Sequence, residues 1–356
     1  MTKIIAELCQ NHNGDMSILK EMVHAAKESG ADFAKIQSLL SSDLTHRSRF
    51  DLGEEENGIT KVIKRPFKNE YERLKKLDLD DKQHFEFSDY CKKYKIKPMT
   101  TIFNRSRLKF LETLGFETIK VSSFDCSSHK MISELSQSKF KNILVSTGCT
   151  YDDEIKKTAK LLKNKSLTIL HCVSIYPTPI SESHLNRINF LKKINSSVGL
   201  SEHSNYDRDH LKISIVSLSY DIDFIERHFT ILPKNETKDG IVSLNEKELK
   251  ELVDISKLSK KDLAEYISKN ITINDLNELG GFATRELSHT ELLNRDYEVT
   301  VADIHENEKL ESNITYIKCD ITSKENVENV FKNKQFDVVY NLAGFANLDT
   351  AVKYPL

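Results

Sequence analysis

Residues 3–14 read KIIAELCQNHNG, and this stretch decides between the two parallel α/β folds that the chain could adopt. Its first half is an apolar run typical of a buried strand. A doubly wound open sheet normally places a glycine-rich turn directly after such a first strand. Here the turn is polar and contains a single glycine, Gly14, at its end. The stretch therefore favours a closed barrel over an open sheet.

The first 260 residues repeat a pattern of strand followed by helix. Short apolar runs alternate with amphipathic stretches, as in parallel α/β folds, and eight such units fit the size of a (β/α)₈ TIM barrel. A charged stretch of irregular pattern, 38–79, interrupts the alternation, and we interpret it as an active-site loop. The predicted strands are 3–8, 33–37, 98–103, 118–123, 142–147, 167–173, 197–203 and 223–229, and the predicted helices lie near 16–29, 80–94, 105–115, 127–138, 151–163, 183–194, 207–219 and 245–259.

A second and shorter α/β pattern follows the barrel. We predict a barrel domain over 1–260, a polar linker, helical or irregular, over 261–277 and a partial Rossmann-like segment over 278–356. A segment of this length is small for an independent α/β domain. Its predicted elements are helix 285–295, strand 298–302, strand 315–319, helix 323–333 and strand 336–341.

Composition restricts the class of protein and its partners. The net charge of −2 and the 38% of hydrophobic residues describe a globular protein with no overall attraction to nucleic acid or to an anionic membrane. No apolar run approaches the roughly 20 residues of a membrane helix, and the first strand begins where a secretory signal would stand. The six cysteines form no Cys-x-x-Cys pair, so we expect inert thiols in a reducing cytoplasm.

Polar residues recur at the carboxyl ends of the predicted barrel strands, where catalytic groups of TIM barrels stand. Side chains alternate across a strand, and one set points into the lumen. A buried charge without a partner costs several kcal/mol, so a ring of lysines, glutamates and histidines needs something charged to bind. The residues that we place near this rim are Glu7, Lys35, Gln37, Thr101, Lys120, Ser146, His171, the run 201–203, Glu226 and His228.

The residue types at the rim indicate two kinds of ligand. Lys35 and Lys120 suit a phosphate or a carboxylate, and the hydroxyl of Ser146 is an additional donor. His203 and His228 end adjacent strands, so their imidazoles could share one divalent ion. The alternative is that both are ordinary core histidines, and barrel position alone does not decide between the two interpretations.

Eight short motifs occur in the order and positions of one known family. With them the chain resembles the sialic acid synthases, which include the N-acetylneuraminate, legionaminate and pseudaminate synthases, over about residues 3–255. The motifs are AELxQNHNGD (6–15), KIQ (35–37), YExLKKL (71–77), KVSSxD (120–125), STG (146–148), LHCVSxYPxP (170–179), GLSEH (199–203) and IERHFT (225–230).

The resemblance implies a transferase-type synthase. Such an enzyme condenses phosphoenolpyruvate with the open-chain aldehyde of an N-acylated amino sugar, and it yields a nine-carbon 2-keto-3-deoxy acid and phosphate. The resemblance also implies a bound divalent ion, with Mn²⁺ as the first candidate and Mg²⁺ or Co²⁺ as alternatives. By position, the resemblance implies Glu7, Lys35 and Lys120 as catalytic residues, Gln37, Thr101, Ser123 and Ser146 at the donor, Tyr176 and Asp239 at the acceptor, Asn11 and His12 at the mouth, and His203 and His228 on the metal.

Two departures from the family pattern leave an alternative open. Glu202 replaces the aspartate that is usual in the seventh-strand motif, and we expect this change to face the acceptor. The sequence also shows no counterpart of the antifreeze-protein-like domain that, in the family, supplies an arginine to the partner subunit of a homodimer. Whether this chain forms a homodimer therefore stays open. The alternative function is an inactive barrel that serves as a binding or scaffold module in surface-polysaccharide biosynthesis.

The C-terminal segment, 278–356, resembles the start of an NAD-dependent sugar-nucleotide epimerase or dehydratase. The resemblance implies that Asp303 would contact ribose, with Asp320 and Ile321 beside adenine. The glycine-rich turn is reduced to residues 280–282, which gives pyrophosphate little close backbone approach, so we expect no productive NAD binding. A nicotinamide-dependent enzyme is therefore the third interpretation. The matching runs are NRxYEVTVxD (294–303), CDI (319–321) and DVVYNLAG (337–344).

Overall fold

The computed structural model describes residues 1–56, 59–295, 300–303, 315–320 and 322–332. The chain forms two compact units: residues 1–52 with 64–295 make the first, and residues 53–63 with 296–356 make the second. The strands in the described residues are β1 (Lys3–Cys9), β2 (Phe33–Ser38), β3 (Glu54–Glu56), β4 (Ile59–Val62), β5 (Lys97–Ile102), β6 (Thr118–Val121), β7 (Asn142–Ser146), β8 (Ser166–Cys172), β9 (Val198–Glu202), β10 (Phe224–His228), β11 (Thr300–Asp303) and β12 (Thr315–Lys318).

The α-helices of the described residues follow the strands of the first unit for the most part. Short 3₁₀ turns extend several of them, for example at Arg105–Arg107 and Glu112–Leu114. The α-helices are α1 (Met16–Glu28), α2 (Ser48–Leu52), α3 (Phe67–Lys75), α4 (Asp81–Tyr94), α5 (Leu108–Leu111), α6 (His129–Ser136), α7 (Asp152–Leu161), α8 (Arg187–Ile194), α9 (Tyr206–Asp209), α10 (Lys212–Leu218), α11 (Glu246–Ser256), α12 (Lys260–Asn270), α13 (Ile273–Gly280), α14 (His289–Arg295) and α15 (Lys324–Phe331).

Eight of the strands close into a barrel. Its order is β1, β2, β5, β6, β7, β8, β9 and β10, with β10 paired back to β1, and every pair is parallel. Each predicted barrel strand matches an observed one to within two residues at either end. These strands are buried on both faces, which is why they read as continuous apolar runs. The predicted (β/α)₈ barrel is confirmed.

Two apolar layers follow from the alternation along each strand. On β1, Ile4, Ala6 and Leu8 pack outward into the large core between strands and helices, whereas Ile5 points into the lumen. The helices complete the outer core with their buried faces; α1, for example, begins at the N-cap Asp15, whose carboxylate accepts the Ser17 N–H. The lumen therefore has its own apolar floor, on which the polar rim stands.

Two segments contain helices or strands whose bounds the sequence did not predict. The stretch 38–79 holds two helices, α2 and α3, within the first unit and the antiparallel hairpin of β3 and β4 within the second. The predicted linker 261–277 is mostly helical: residues 261–270 belong to α12 and residues 273–277 to α13. The reason is apolar burial: Leu263, Ile271 and Leu279 are buried in the core.

The described part of the second unit has a parallel strand pair, β11 and β12, in which Thr300 lies opposite Thr315. The helix α15 follows, near the predicted 323–333. The predicted strand 336–341 lies outside the described residues. The predicted helix 285–295 corresponds to α14, which belongs to the barrel unit.

Two properties of the whole described chain bear on its class. Within the described residues, no helix is both long enough and apolar enough to cross a membrane. All six cysteines are buried thiols.

Candidate active site

Six apolar side chains fill the barrel lumen, one layer below its carboxyl end. Two residues further along each of the same strands, the lumen-facing position changes from apolar to polar. Because side chains alternate, this second layer is the ring where TIM-barrel chemistry takes place. The six apolar residues are Ile5, Phe33, Met99, Leu144, Leu170 and Phe224, and the residues two positions further are Glu7, Lys35, Thr101, Ser146, Cys172 and Glu226.

Two lysines and two glutamates form a buried cluster in this ring. Lys35 contacts Glu7, lies 3.6 Å from Glu226 and donates to the Thr101 hydroxyl at 2.8 Å. Lys120 donates to Glu226 at 2.6 Å. Each of the four charged residues is at most 4% exposed. The cluster is balanced in charge, so its burial without a ligand is tolerable.

The cluster shifts the ionisation of its members. Burial lowers the pKa of Lys35 to about 7, against the opposing effect of Glu226. Burial would raise the pKa of Glu226, but Lys120 and Lys35 together hold that pKa far below its usual value. The Ser201 hydroxyl, 2.8 Å away, adds a hydrogen bond to the same carboxylate. Glu226 is therefore a fixed anion that positions both ammonium groups.

Hydroxyl and amide groups border the cluster on the β6 to β8 side. The Ser146 hydroxyl is buried and has no hydrogen-bond partner. The Ser123 hydroxyl accepts from the Gly148 N–H at 3.1 Å and donates to the Cys172 sulfur at 3.3 Å. A Cβ at Gly148 would lie 2.3 Å from the Ser174 hydroxyl oxygen. An alanine there would force the Ser174 side chain to move, because two loops approach closely beside the ring.

The predicted metal ligands are neighbours at the rim. The ring centroids of His203 and His228 are 5.3 Å apart. Burial lowers the pKa of His203 to about 4 and that of His228 to about 3, so both imidazoles are neutral near pH 7 and can offer a lone pair. The buried Nδ1 of His228 has no hydrogen-bond partner and lies 3.9 Å from an Asp239 carboxylate oxygen. The donor set fits a divalent ion.

The structure adds a third and a fourth group to this pair. One ligand atom each of Cys9, His228 and Asp239 lies within 4.8 Å of the others. Asp239 was predicted only as an acceptor contact, and Cys9 only as an inert thiol.

Tyr176 stands over His203, with its hydroxyl 2.9 Å from His203 Nε2 and the ring centroids 4.1 Å apart. Tyr176 is 50% exposed, so it faces the open mouth.

Two residues that were placed near the rim face the helices instead. His171 lies between the inward-facing Leu170 and Cys172, and its Nε2 lies 2.6 Å from the Ser183 carbonyl oxygen outside the strand. The prediction that His171 faces the lumen was wrong, because side chains alternate along the strand and the neighbouring residues 170 and 172 face the lumen. Glu202 likewise forms a buried ion pair with Arg227 in the outer core. Its difference from the family pattern therefore does not face the acceptor, contrary to expectation.

The residues predicted at the mouth after β1 brace the loop there. The Asn11 amide donates to the Phe229 carbonyl and to the Ser243 hydroxyl, both at 3.0 Å. The His12 Nδ1 accepts the Gly14 N–H at 3.0 Å. Gln37 is partly buried on the lumen-facing side of β2, in register with Thr101. Gln37 therefore lies on the strand face of the charged ring, whereas the hydrogen bonds of Asn11 and His12 are made to loop residues outside it.

Of the three C-terminal residues predicted to contact a cofactor, Asp303 and Asp320 lie within the described residues. Asp303 ends β11, in register with Lys318. Asp320 is exposed, and its carboxylate accepts the N–H of Thr322 at 2.9 Å. Ile321 lies outside the described residues.

A closed parallel barrel with a charged ring at the carboxyl ends of its strands defines the class of this chain, a TIM-barrel enzyme. Residues 22–267 match the model of the NeuB family, and the chain belongs to that family. It is an enzyme of the synthase type. Residues 283–356 match the model of GDP-mannose 4,6 dehydratase.

Characterised and uncharacterised relatives share the barrel. An uncharacterized protein of Methanocaldococcus jannaschii is 32% identical over 267 residues, which are 74% of this chain and 72% of that protein. The pseudaminic acid synthase of Helicobacter pylori is 30% identical over 267 residues, 74% of this chain and 76% of that enzyme. The N,N'-diacetyllegionaminic acid synthase of Campylobacter jejuni is 29% identical over 282 residues, 75% and 79% of the two chains.

Solved structures agree on the fold. The N-acetylneuraminic acid synthetase of Leptospira borgpetersenii superposes with a TM-score of 0.63 at 23% identity, covering 78% of this chain and 90% of that one. At this identity the likeness supports the barrel fold alone.

Proposed function

We propose that this chain condenses phosphoenolpyruvate with the open-chain aldehyde of an N-acylated amino sugar, giving a nine-carbon 2-keto-3-deoxy acid and phosphate. The observation that carries the proposal is the pair of buried lysines, Lys35 and Lys120, held at the carboxyl end of the barrel. The names of the Helicobacter and Campylobacter relatives support the same class of reaction. We assign catalytic roles to Lys35, Lys120 and Glu7.

The donor would bind where cations and free hydroxyl groups converge. Lys35 and Lys120 attract its phosphate and carboxylate, and the unpartnered Ser146 hydroxyl is free to donate to the same anion. Gln37, Thr101 and Ser123 complete the donor contacts in this proposal. Glu7 holds Lys35 in place, since its second carboxylate oxygen is itself fixed by the Cys9 N–H at 2.8 Å.

The acceptor would enter from the mouth, where Tyr176 is exposed beside His203 and Asp239 is near His228. A divalent ion held by His203 and His228, for which we propose Mn²⁺, would polarise the aldehyde and acidify the attacking water. The donor's C3 then forms the new bond to the aldehyde carbon, water adds to C2 and phosphate leaves. The lysines contribute by holding the donor anion in a fixed orientation, which lowers the entropic cost of this step.

A turnover assay tests the proposal. Phosphate release is measured with phosphoenolpyruvate, Mn²⁺ and either N-acetylmannosamine or a 2,4-diacetamido sugar, and the keto acid is identified by mass spectrometry. We expect release that depends on the acceptor and that Lys35→Met abolishes. Lys97→Met is the matched control, because Lys97 is exposed at the opposite end of the barrel. Absence of turnover with every acceptor would favour the inactive binding module instead.

Two further proposals concern the setting of the enzyme. A cytoplasmic location is supported by the six buried cysteine thiols, which fit a reducing compartment. We also propose a homodimer, as the family resemblance implies, and light scattering of the purified chain tests it.

A further inference from the structure

The segment that begins at the end of α13 is bound to the carboxyl end of the barrel. The carbonyl oxygens of Leu279 and Gly280 accept the N–H groups of Leu185 and Asn186 at 2.8 and 2.9 Å. The donating residues end the loop that follows β8. The chain after Gly280 therefore starts beside the ring of strand ends, although Leu279 comes 94 residues after Leu185 in sequence.

This segment inserts one carboxylate into the barrel unit. Glu291, on the first turn of α14, is completely buried. One of its oxygens accepts the backbone N–H of Cys149 at 3.1 Å and the backbone N–H of Ser174 at 3.2 Å. Cys149 follows β7 and Ser174 follows β8, so both amides belong to loops at the carboxyl end of the barrel.

Further donors complete the binding of this carboxylate. Arg285, 5% exposed at its side chain, forms a two-pronged ion pair with Glu291, at 2.5 and 2.8 Å. The Ser288 N–H donates to the same group at 3.1 Å. Burial would raise the pKa of Glu291, but Arg285 lowers it to about 2, so the carboxylate is charged at neutral pH. The chain thus supplies both the anion and its counter-ion from one segment.

The two loop amides lie beside the donor residues. Gly148 connects them to the ring: its N–H binds the Ser123 hydroxyl, and a Cβ at Gly148 would approach both Ser174 and Ser123. Converging backbone N–H groups at strand ends are a common way to bind an oxyanion. A carboxylate from the chain itself has the same chemistry as the anionic groups that the proposed donor carries.

We propose that the backbone amides of Cys149 and Ser174 form an oxyanion subsite of the donor pocket, and that Glu291 occupies it as an internal competitor of phosphate and carboxylate ligands. The identification of the ligand as donor rests on the proposed function. The subsite itself rests on the Glu291 geometry. Removal of Glu291 frees the subsite, so anions bind more tightly, whereas a ligand that binds wild type must first displace residues 285–295.

The test measures anion binding by calorimetry in wild type, Glu291→Gln and Glu286→Gln. Glu286 is exposed in the same segment and is the matched control. Inorganic phosphate and pyruvate, which carries a carboxylate without phosphate, are the two probes. We expect Glu291→Gln to lower the Kd of at least one probe by about ten-fold or more, because the charged internal competitor is removed from the subsite. Tightening of phosphate alone identifies the phosphate as the competing group, and tightening of pyruvate alone identifies the carboxylate. Equal affinities in all three proteins would overturn the proposal.

Hydrogen–deuterium exchange of wild type decides the question if Glu291→Gln does not fold. Saturating phosphate should accelerate exchange of the amides in 288–295, and unchanged protection with bound phosphate would refute displacement. Neither readout needs turnover. The failure of the synthase proposal and the failure of the subsite proposal are therefore distinguishable. Tighter phosphate binding in Glu291→Gln without turnover would support the subsite and not the synthase function. Turnover without tighter binding would support the synthase function and refute the subsite.

Discussion

Replacement of Lys120 by Met should separate the two roles of the charged cluster. The ammonium group of Lys120 is 2.6 Å from Glu226 in a site where both side chains are at most 5% exposed. Removal of one partner of such a buried pair costs about 3–5 kcal/mol, because the remaining charge is left uncompensated. Lys35 lies 3.6 Å from the same carboxylate and compensates its charge in part. We therefore expect Lys120→Met to lower the free energy of unfolding by about 3 kcal/mol.

The double variant Lys120→Met/Glu226→Gln distinguishes stability from binding. It removes the unpaired charge as well, so we expect it to recover most of the lost free energy of unfolding. Donor binding should stay absent, since the cation is still missing. Urea unfolding measures the first quantity and calorimetry with phosphoenolpyruvate the second. Wild-type donor affinity in the double variant would refute the assignment of Lys120, and a double variant no more stable than the single one would refute the pairing with Glu226.

Three further predictions concern the loops, the pH dependence and the metal. Gly148→Ala should raise the KM for the donor with little change in metal content, because the added Cβ would lie 2.3 Å from the Ser174 hydroxyl; a KM equal to wild type would contradict the close approach. Donor affinity should fall as the pH rises through about 7, since Lys35 then loses its charge; calorimetry between pH 7 and about 9 should show this limb, and a flat profile would contradict it. His228→Ala should remove bound Mn²⁺ as measured by atomic emission, whereas the exposed His24→Ala should retain it; equal metal content in both would end the ligand assignment.

The barrel could be predicted from sequence because its signal is local. A strand buried on both faces is a continuous apolar run, and the position of each run fixes where the next polar residue can lie. This is why Lys35 and Lys120 were placed in the lumen correctly. The same reasoning failed at His171, because the alternation along its strand was counted from the wrong residue. It also failed at Glu202, which pairs with Arg227 of the neighbouring strand in the outer core.

Contacts between distant parts of the chain could not be predicted in this way. Glu291 is a polar residue in a short helix, and nothing near it in sequence indicates that its carboxylate meets amides 117 and 142 residues away. Cys9 similarly reads as one of six scattered thiols, and only the fold brings it beside His228 and Asp239. The stretch 261–277 was predicted only as a polar linker, helical or irregular, because its polar composition hides a few well-spaced apolar residues that pack into the core.

A crystal structure of the wild-type enzyme with phosphoenolpyruvate and Mn²⁺ would show directly whether the buried lysines bind the donor. We expect the Lys35 and Lys120 ammonium groups and the Ser146 hydroxyl to lie within hydrogen-bond distance of the donor's anionic groups, with the ion on His203 and His228. A donor bound away from the barrel mouth, with both lysines still paired only to Glu7 and Glu226, would contradict it.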